Sequence, residues 1–403
     1  MNILIVHEVD WLKKVTYEIH HLSELFSLMG HNVFAIDLRE PDAKNLVKGL
    51  QGEIIENYNR IYENASVTII RPPNVSIKGL NRLVTYLTSY TQIKSVLQKY
   101  EINVVLLYSV VTSAKQTIRA CKELNIPVVH RTFDIIHDLV REKYLREFII
   151  KIEQQVYSNI DKVIVNTPFM KDWAVHMGTP NDHVRIIPQG VDSNIMRPLS
   201  WQSQLADELG VKSDDKIIFY LGSIEEFSGL EVIIENFDQI KKSIPKLKLL
   251  IVGGGSYLIK LQKLATQFNV KSDVIFTGYK PYKTIPKYCS LVTLCINTFR
   301  INAMTDKLSP VKIFDLQACG KPILSTPLKG LKVDFPEDTS GVIYCNLEDF
   351  INTIPKLLQD EQNLKNIGMR GKEFVEKNFT WKKVAEDMLN ELLSAQSSRR
   401  DID

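Results

Sequence analysis

The side chains best suited to grip an anion lie between Arg300 and Asp315. A polar loop carrying Arg300 and Lys307 leads into Ser309-Pro310-Val311-Lys312-Ile313-Phe314-Asp315, and Gly320 follows before an apolar run. Serine is a good helix N-cap and proline suits a first helical turn, so a helix beginning near Pro310 is predicted. Such a start directs free N–H groups and a partial positive charge at whatever faces Ser309, Pro310 and Val311. Arg300, Lys307 and Lys312 are the nearest cations for a diphosphate, although a cation of this kind taken singly is more often a solvated surface charge. Asp315, about one and a half turns into the helix, would accept a sugar hydroxyl beside that anion.

Two glycine-bearing segments have related chemistry. Gly253-Gly254-Gly255-Ser256 follows an apolar strand and precedes a helix, so a ligand or another backbone can approach closely. The complete dinucleotide fingerprint is missing, which disfavours a dinucleotide cofactor, and a tight strand-to-helix turn explains the segment equally well. Gly222-Ser223 through Gly229-Leu230 likewise follows a strand, but it lacks basic residues. In the first half, residues 127–138 end a strand in a polar mouth holding Asp134 and His137. His137 would move a proton or bind hydroxyls there, with a surface histidine at a helix start as the plain alternative. His7, Glu8 and Asp10 end the first strand, where ordinary loop polarity accounts for them. His20 and His21 fall in mid-helix and are structural.

These residues need a scaffold of strands and helices. Strand 2–6, helix 15–29 and strand 33–36 form a βαβ unit, which demands a parallel sheet and a right-handed crossover. Strands at 67–70, 104–107, 127–130 and 162–166 continue it, with helices at 80–100, 113–124 and 141–158. Beyond a polar linker a second series runs through strands 217–221, 247–252, 274–277, 292–296, 322–325 and 341–344. The fold class is therefore α/β, with two doubly wound Rossmann-like domains. Such domains in series would face a cleft at the carboxyl edges of their sheets. The expected divisions are 1–195, 196–376 and 377–403, the last being an amphipathic helix and a frayed tail.

With 403 residues the chain is too long for one ordinary core. A net charge of +3 is too small to imply nucleic acid. Five widely spaced cysteines make neither a zinc cluster nor a disulfide framework. No run approaches the roughly 18–20 apolar residues of a membrane span, and residues 1–11 read as a strand rather than a signal peptide. A cytoplasmic protein is expected. The apolar and basic segments 80–100 and 141–157 would touch a bilayer, or simply pack as amphipathic helices.

In order, the chain holds Gly30-His31-Asn32-Val33, Ile187-Pro188-Gln189-Gly190-Val191-Asp192, Tyr220-Leu221-Gly222 with Gly229-Leu230, and Leu250-Ile251-Val252-Gly253-Gly254-Gly255. Phe276-Thr277-Gly278-Tyr279, the 309–322 stretch and Phe379-Thr380-Trp381 follow. This ordered set resembles the GT-B glycosyltransferases, specifically the retaining glycosyltransferase family 4. The resemblance implies a hexosyltransferase-type enzyme that takes its sugar from a nucleotide diphosphate sugar. The donor would sit mainly on the C-terminal domain and a glycan, lipid-linked or other hydroxyl acceptor on the N-terminal one. It further implies no metal or tightly bound cofactor, and a last helix crossing back to the first domain. The base would lie near Gly253–Ser256 and Gly278–Tyr282, Tyr279 included, the ribose on Asp315, and the diphosphate near Gly222, Ser223 and residues 309–311. Ser223 and Ser228 stand where relatives carry arginine and lysine, Asp315 where they carry glutamate, and Phe133 where they often carry histidine. Those departures shift the phosphate charge to Lys312, with Arg300 or Lys307. They also keep open a second reading, a weakened homologue that binds nucleotide sugar or glycan as a regulator.

Overall fold

The computed structural model describes residues 1–14, 16–41, 50–77, 79–108, 110–133, 135–140 and 142–400. The chain forms two compact units: Met1–Pro188 with Trp381–Asp403, and Gln189–Thr380.

The first unit runs β1 (Asn2–Val6), α1 (Glu18–Leu28), β2 (Asn32–Ile36), β3 (Glu53–Tyr58), β4 (Val67–Arg71), α2 (Leu80–Lys99) and β5 (Val104–Leu107). It continues with α3 (Ala114–Glu123), β6 (Val128–Thr132), α4 (Lys143–Tyr157), β7 (Lys162–Val165), α5 (Pro168–His176) and β8 (Val184–Ile186). The sheet order is β3-β4-β2-β1-β5-β6-β7-β8. All pairs are parallel except β3 with β4. Both faces are covered, as a parallel sheet requires. Ile3 and Ile5 of β1 join the core beneath α1, whereas Leu4 and Val6 join the core beneath α2 to α5. The antiparallel edge strand β3 escapes sequence reading because its side chains are mostly exposed and show no apolar period.

The second unit holds α6 (Ser203–Leu209), β9 (Lys216–Leu221), α7 (Leu230–Glu235), α8 (Phe237–Lys241), β10 (Leu247–Val252), α9 (Leu258–Gln267) and β11 (Val274–Phe276). Then come α10 (Ile285–Ser290), β12 (Leu294–Asn297), α11 (Val311–Ala318), β13 (Ile323–Ser325), α12 (Lys329–Asp334), β14 (Val342–Tyr344), α13 (Phe350–Leu358) and α14 (Glu361–Asn378). Its six strands are all parallel, in the order β11-β10-β9-β12-β13-β14.

The last helix corrects the sequence expectation. Lys377 belongs to α14, and α15 (Trp381–Arg400) starts afresh after a break at Phe379 and Thr380. Phe379 is pinned among Phe314, Phe335 and Phe374, with ring centroids 5.0, 5.6 and 5.8 Å away. Its carbonyl accepts the Val191 N–H at 2.7 Å, so tertiary packing cuts a helical pattern that periodicity alone would continue. α15 lies on α1 in the first unit, where Trp381 stacks on His21 at 4.8 Å. Helix persists from Gln396 through Arg400, where fraying was expected, and residues 401–403 of that expected tail lie outside the described residues.

Candidate functional site

At the carboxyl edge of the second sheet, β9 and β10 end in glycines because their backbones touch. Gly222 has φ +125° and Gly253 φ +146°, conformations that L side chains rarely adopt. A Cβ on Gly253 would stand 1.9 Å from the Gly222 carbonyl oxygen. One on Gly255 would stand 2.2 Å from the Ile224 carbonyl oxygen. Gly254 lies under Tyr279, whose hydroxyl donates to the Gly254 carbonyl at 2.9 Å while its ring remains 74% exposed. The Tyr220 hydroxyl donates to the Ser223 carbonyl at 2.7 Å. The three loops after β9, β10 and β11 thus join into one glycine-backed shelf with an open aromatic face.

Helix α11 begins beside this shelf, and its cap differs from expectation. Pro310 is the N-cap, with extended backbone, and Ser309 precedes it. The Ser309 hydroxyl donates to the half-buried Asp334 carboxylate instead of to the helix. Burial pushes that carboxyl up to about 6. Val311 opens the helix and is exposed, so its N–H and that of Lys312 lie where no intrahelical acceptor exists.

Lys312 carries the most informative side chain of the site. Its ammonium nitrogen is shielded from solvent and has no hydrogen-bond partner. It lies 4.0 Å from the Tyr220 ring centroid and 4.2 Å from that of Phe299. A Cβ at Gly222 would be 3.9 Å from it. Burial drives its pKa well below the usual lysine value. Aromatic faces attract a cation, but they do not replace the three hydrogen bonds an ammonium can donate.

Asp315 is also buried, and burial pushes its carboxyl up to about 7, against the pull of the Tyr282 hydroxyl. That hydroxyl donates to it at 2.8 Å, and Asp192 lies close enough to add a raising charge. The other expected cations are engaged differently. The Arg300 guanidinium is held by Glu231 through two bonds to one oxygen, at 2.8 and 2.5 Å. Lys307 is part of the short turn Thr305–Lys307, and its carbonyl packs on Gly330. Asp306 is tied to Lys329 at 2.8 Å. The structure therefore brings Gly222, Ser223, Gly253, Gly254, Gly255 and Tyr279 together as one shelf, and Lys312 to Gly222.

At the carboxyl edge of the first sheet, Asp134 lies outside the described residues. His137 is in a short turn of 3-10 helix, and its Nδ1 lies 2.6 Å from the fully buried Glu153 carboxylate. Glu153 also accepts the Ile136 N–H at 3.0 Å, so it fixes the ring's orientation. Arg131 makes a buried two-pronged pair with Glu18, at 2.8 Å for each prong, and the Tyr108 hydroxyl donates to the same carboxylate. Arg71 joins Asp10 and Asp37 at 2.9 and 3.0 Å. Glu8 accepts the Thr112 and Ser113 N–H groups at 2.6 and 3.1 Å. Glu8 and Asp10 are thus structural, and burial holds the adjacent His7 at about 3, uncharged at neutral pH.

Sequence reasoning missed Glu153, Glu231 and the Tyr220–Phe299 pair, and placed Tyr282 near the base without its bond to Asp315. All meet their partners only through the tertiary fold. Among the described residues, no group of three or more His, Cys, Asp or Glu side chains is placed to hold a metal ion.

Comparison with known proteins fits this geometry. Residues 17–194 match the model described as Glycosyltransferase Family 4, and residues 202–374 match Glycosyl transferases group 1. The chain belongs to the family 4, group 1 glycosyltransferases. This family 4 chain is 22% identical over 338 residues to the alpha-monoglucosyldiacylglycerol synthase of Streptococcus pneumoniae, covering 81% of the chain and 75% of the relative. A GDP-mannose-dependent phosphatidylinositol monomannoside mannosyltransferase of Mycolicibacterium smegmatis is 24% identical, over 55% of the chain and 59% of the relative's length. Sucrose-phosphate synthase of Thermosynechococcus elongatus superposes with a TM-score of 0.75 at 19% identity, over 98% of this chain and 99% of that one. The Anabaena protein HepE in complex with UDP-glucose gives 0.71 at 14% identity, over 98% and 100%. These superpositions show the GT-B fold for the family 4 chain.

Proposed function

We propose that this glycosyltransferase is active and retaining, and that it moves a hexose from a nucleotide diphosphate sugar to a hydroxyl of a glycan, lipid-linked or other acceptor. The observation that carries the reading is the lone ammonium of Lys312, set against Gly222 near the exposed start of α11. A diphosphate there would receive the N–H groups of Val311 and Lys312 and supply the counter-charge that Lys312 lacks. As the sugar–phosphate bond breaks, charge grows on the departing diphosphate. Donors already held in place stabilise that charge without reorganising. The base would lie on the shelf under Tyr279, and the ribose beside Asp315 and Tyr282. In the first unit His137, oriented by Glu153, would hold the acceptor hydroxyl. No step calls for a metal or a tightly bound cofactor.

Two of the relatives' names carry a lipid, diacylglycerol in one and phosphatidylinositol in the other, which supports a lipid-borne acceptor. The proposal therefore places the chain in the cytoplasm at the inner face of the membrane, in cell-surface polysaccharide or glycolipid synthesis. The test is a panel of uridine, guanosine and adenosine diphosphate sugars, read by melting shift and by slow donor hydrolysis. A shift with one base and slow release of its sugar is expected, since a ligand that binds only the folded state raises its stability. No shift with any member contradicts the proposal. A second reading, a weakened homologue that binds without turnover, is favoured by Arg300 being committed to Glu231 and by Ser228, whose hydroxyl is buried without a partner. Binding with neither hydrolysis nor transfer to any acceptor would select it.

A further inference from the structure

We propose that the pocket beneath α2 is an acceptor subsite for the hydroxymethyl arm of an uncharged sugar ring, the ring next along from the one whose hydroxyl His137 holds. The inference rests on the His137 reading and adds to it. The acceptor is then itself a glycoside, and its neighbouring ring carries no charge at that arm.

The pocket lies at the carboxyl edge of the first sheet. His7 and Glu8 follow β1, Asp37 and Arg39 follow β2, and Thr85 and Ser89 of α2 close it. Its volume is about 30 Å³. Where one water needs ~10–15 Å³, that is room for a carbon and an oxygen and too little for a ring.

Most polar groups of its wall already have partners. Glu8 accepts from Thr112 and Ser113, and Asp37 from Trp11 and Arg71. Arg39 pairs with Glu53 at 2.7 Å. The Thr85 hydroxyl receives the Asn74 amide at 2.8 Å and donates to the Asn81 carbonyl at 2.9 Å. Two lining side chains each keep one polar atom unanswered. Ser89 is only 3% exposed, and its hydroxyl has no partner among the described residues. The shielded Nδ1 of His7 has none among them either, while its Nε2 lies 2.8 Å from the Tyr17 hydroxyl. Stacking on Tyr108, with centroids 5.3 Å apart, fixes the plane of that imidazole.

A neutral hydroxyl suits both atoms. It donates and accepts, so it pairs with the Ser89 hydroxyl and with either tautomer of an uncharged His7. Shielded polar atoms left unpaired are costly, so a group that pairs them gains affinity. A phosphate or carboxylate would instead face the Glu8 and Asp37 carboxylates, with Arg39 already committed to Glu53.

The sheet sets the length of the acceptor. His137 follows β6, which stands two places from β1 in the order β1-β5-β6. At ~4.8 Å per strand the separation is roughly 10 Å, beyond one pyranose ring and within two linked ones.

The experiment is a ligand-observed NMR titration of the full chain with methyl disaccharides of glucose, galactose, mannose and N-acetylglucosamine, with and without a mixture of UDP, GDP and ADP. At least one disaccharide should bind, and its monosaccharide should bind more weakly. Replacing the hydroxymethyl of its reducing ring by methyl should cost about fivefold, the worth of one neutral hydrogen bond. Ser89→Ala should cost about the same, and the two changes together no more than either alone, because they remove one contact. Ser89→Leu fills the pocket and should abolish the preference for the disaccharide. Should Ser89→Leu lower the melting temperature, Ser89→Ala and the deoxy probe carry the test, since neither crowds the core. Phosphate on the same arm should abolish binding. No disaccharide binding, additive losses, or tighter binding of the phosphorylated sugar overturns the proposal and leaves a pocket that holds water only. Nucleotide binding read in the same samples separates the two readings: intact nucleotide shifts without saccharide binding overturn the subsite alone, whereas saccharide binding without any nucleotide shift overturns the transferase reading alone.

Discussion

The two sheets end in chemically different carboxyl edges. In the first unit the buried charges meet one another: Arg131 with Glu18, Arg71 with Asp10 and Asp37, His137 with Glu153. In the second unit the strand ends carry bare glycine backbone, and one buried ammonium, that of Lys312, has no partner. A paired edge holds itself in shape without a ligand. An edge with an unanswered charge is incomplete, and the ligand that completes it must bring negative charge into a glycine-lined space.

This contrast predicts opposite outcomes for removing one cation from each edge. Arg131→Met leaves Glu18 buried without its partner and should cost about 3–5 kcal/mol in denaturant unfolding. A loss below about 1 kcal/mol would show that the pair is not the support described here. Lys312→Met removes a desolvated amine with no partner, so the unliganded protein should keep its stability or gain about 1 kcal/mol. The same change should weaken diphosphate binding about 100-fold, the loss expected when a charge-assisted contact of ~3 kcal/mol disappears.

The effect of pH sharpens the contrast within α11. Lys312 has a folded pKa below its unfolded one, so the unfolded chain binds more protons and stability rises with pH up to about 10.4. The advantage of Lys312→Met should therefore shrink as pH climbs through that window. Asp315 has the reverse sign. Its folded pKa, about 7, lies above the unfolded value, so the stability it contributes is present at acid pH and lost as pH rises to about 7. In Asp315→Asn that decline should flatten, as followed by melting temperature against pH. The smallest effect is expected from Arg300→Gln, about two- to threefold on diphosphate affinity, because Glu231 already takes its charge. A loss as large as that of Lys312→Met would mean that ligand pulls Arg300 away from Glu231.

Much of this was legible in the sequence. Apolar runs separated by helical periods gave the two parallel sheets, and glycines at strand ends marked Gly222 and Gly253 before their φ angles were known. Ordered motifs gave the family. Long-range pairing stayed hidden. Nothing near Arg300 in the chain announces Glu231, and His137 meets Glu153 only because α4 folds back over it. The Ser309 misreading has the same origin: a good capping residue was taken by a carboxylate 25 positions away. Local propensity names what a side chain can do, whereas the fold decides which partner reaches it first.

The most direct test of the account is calorimetric titration of wild type and Lys312→Ala with a nucleoside and with its diphosphate, using the base selected by the donor panel. If Lys312 is the seat of the diphosphate, the variant should lose about 100-fold in diphosphate affinity while nucleoside affinity changes less than about twofold. Equal losses for nucleoside and diphosphate would make the lysine structural and contradict the account.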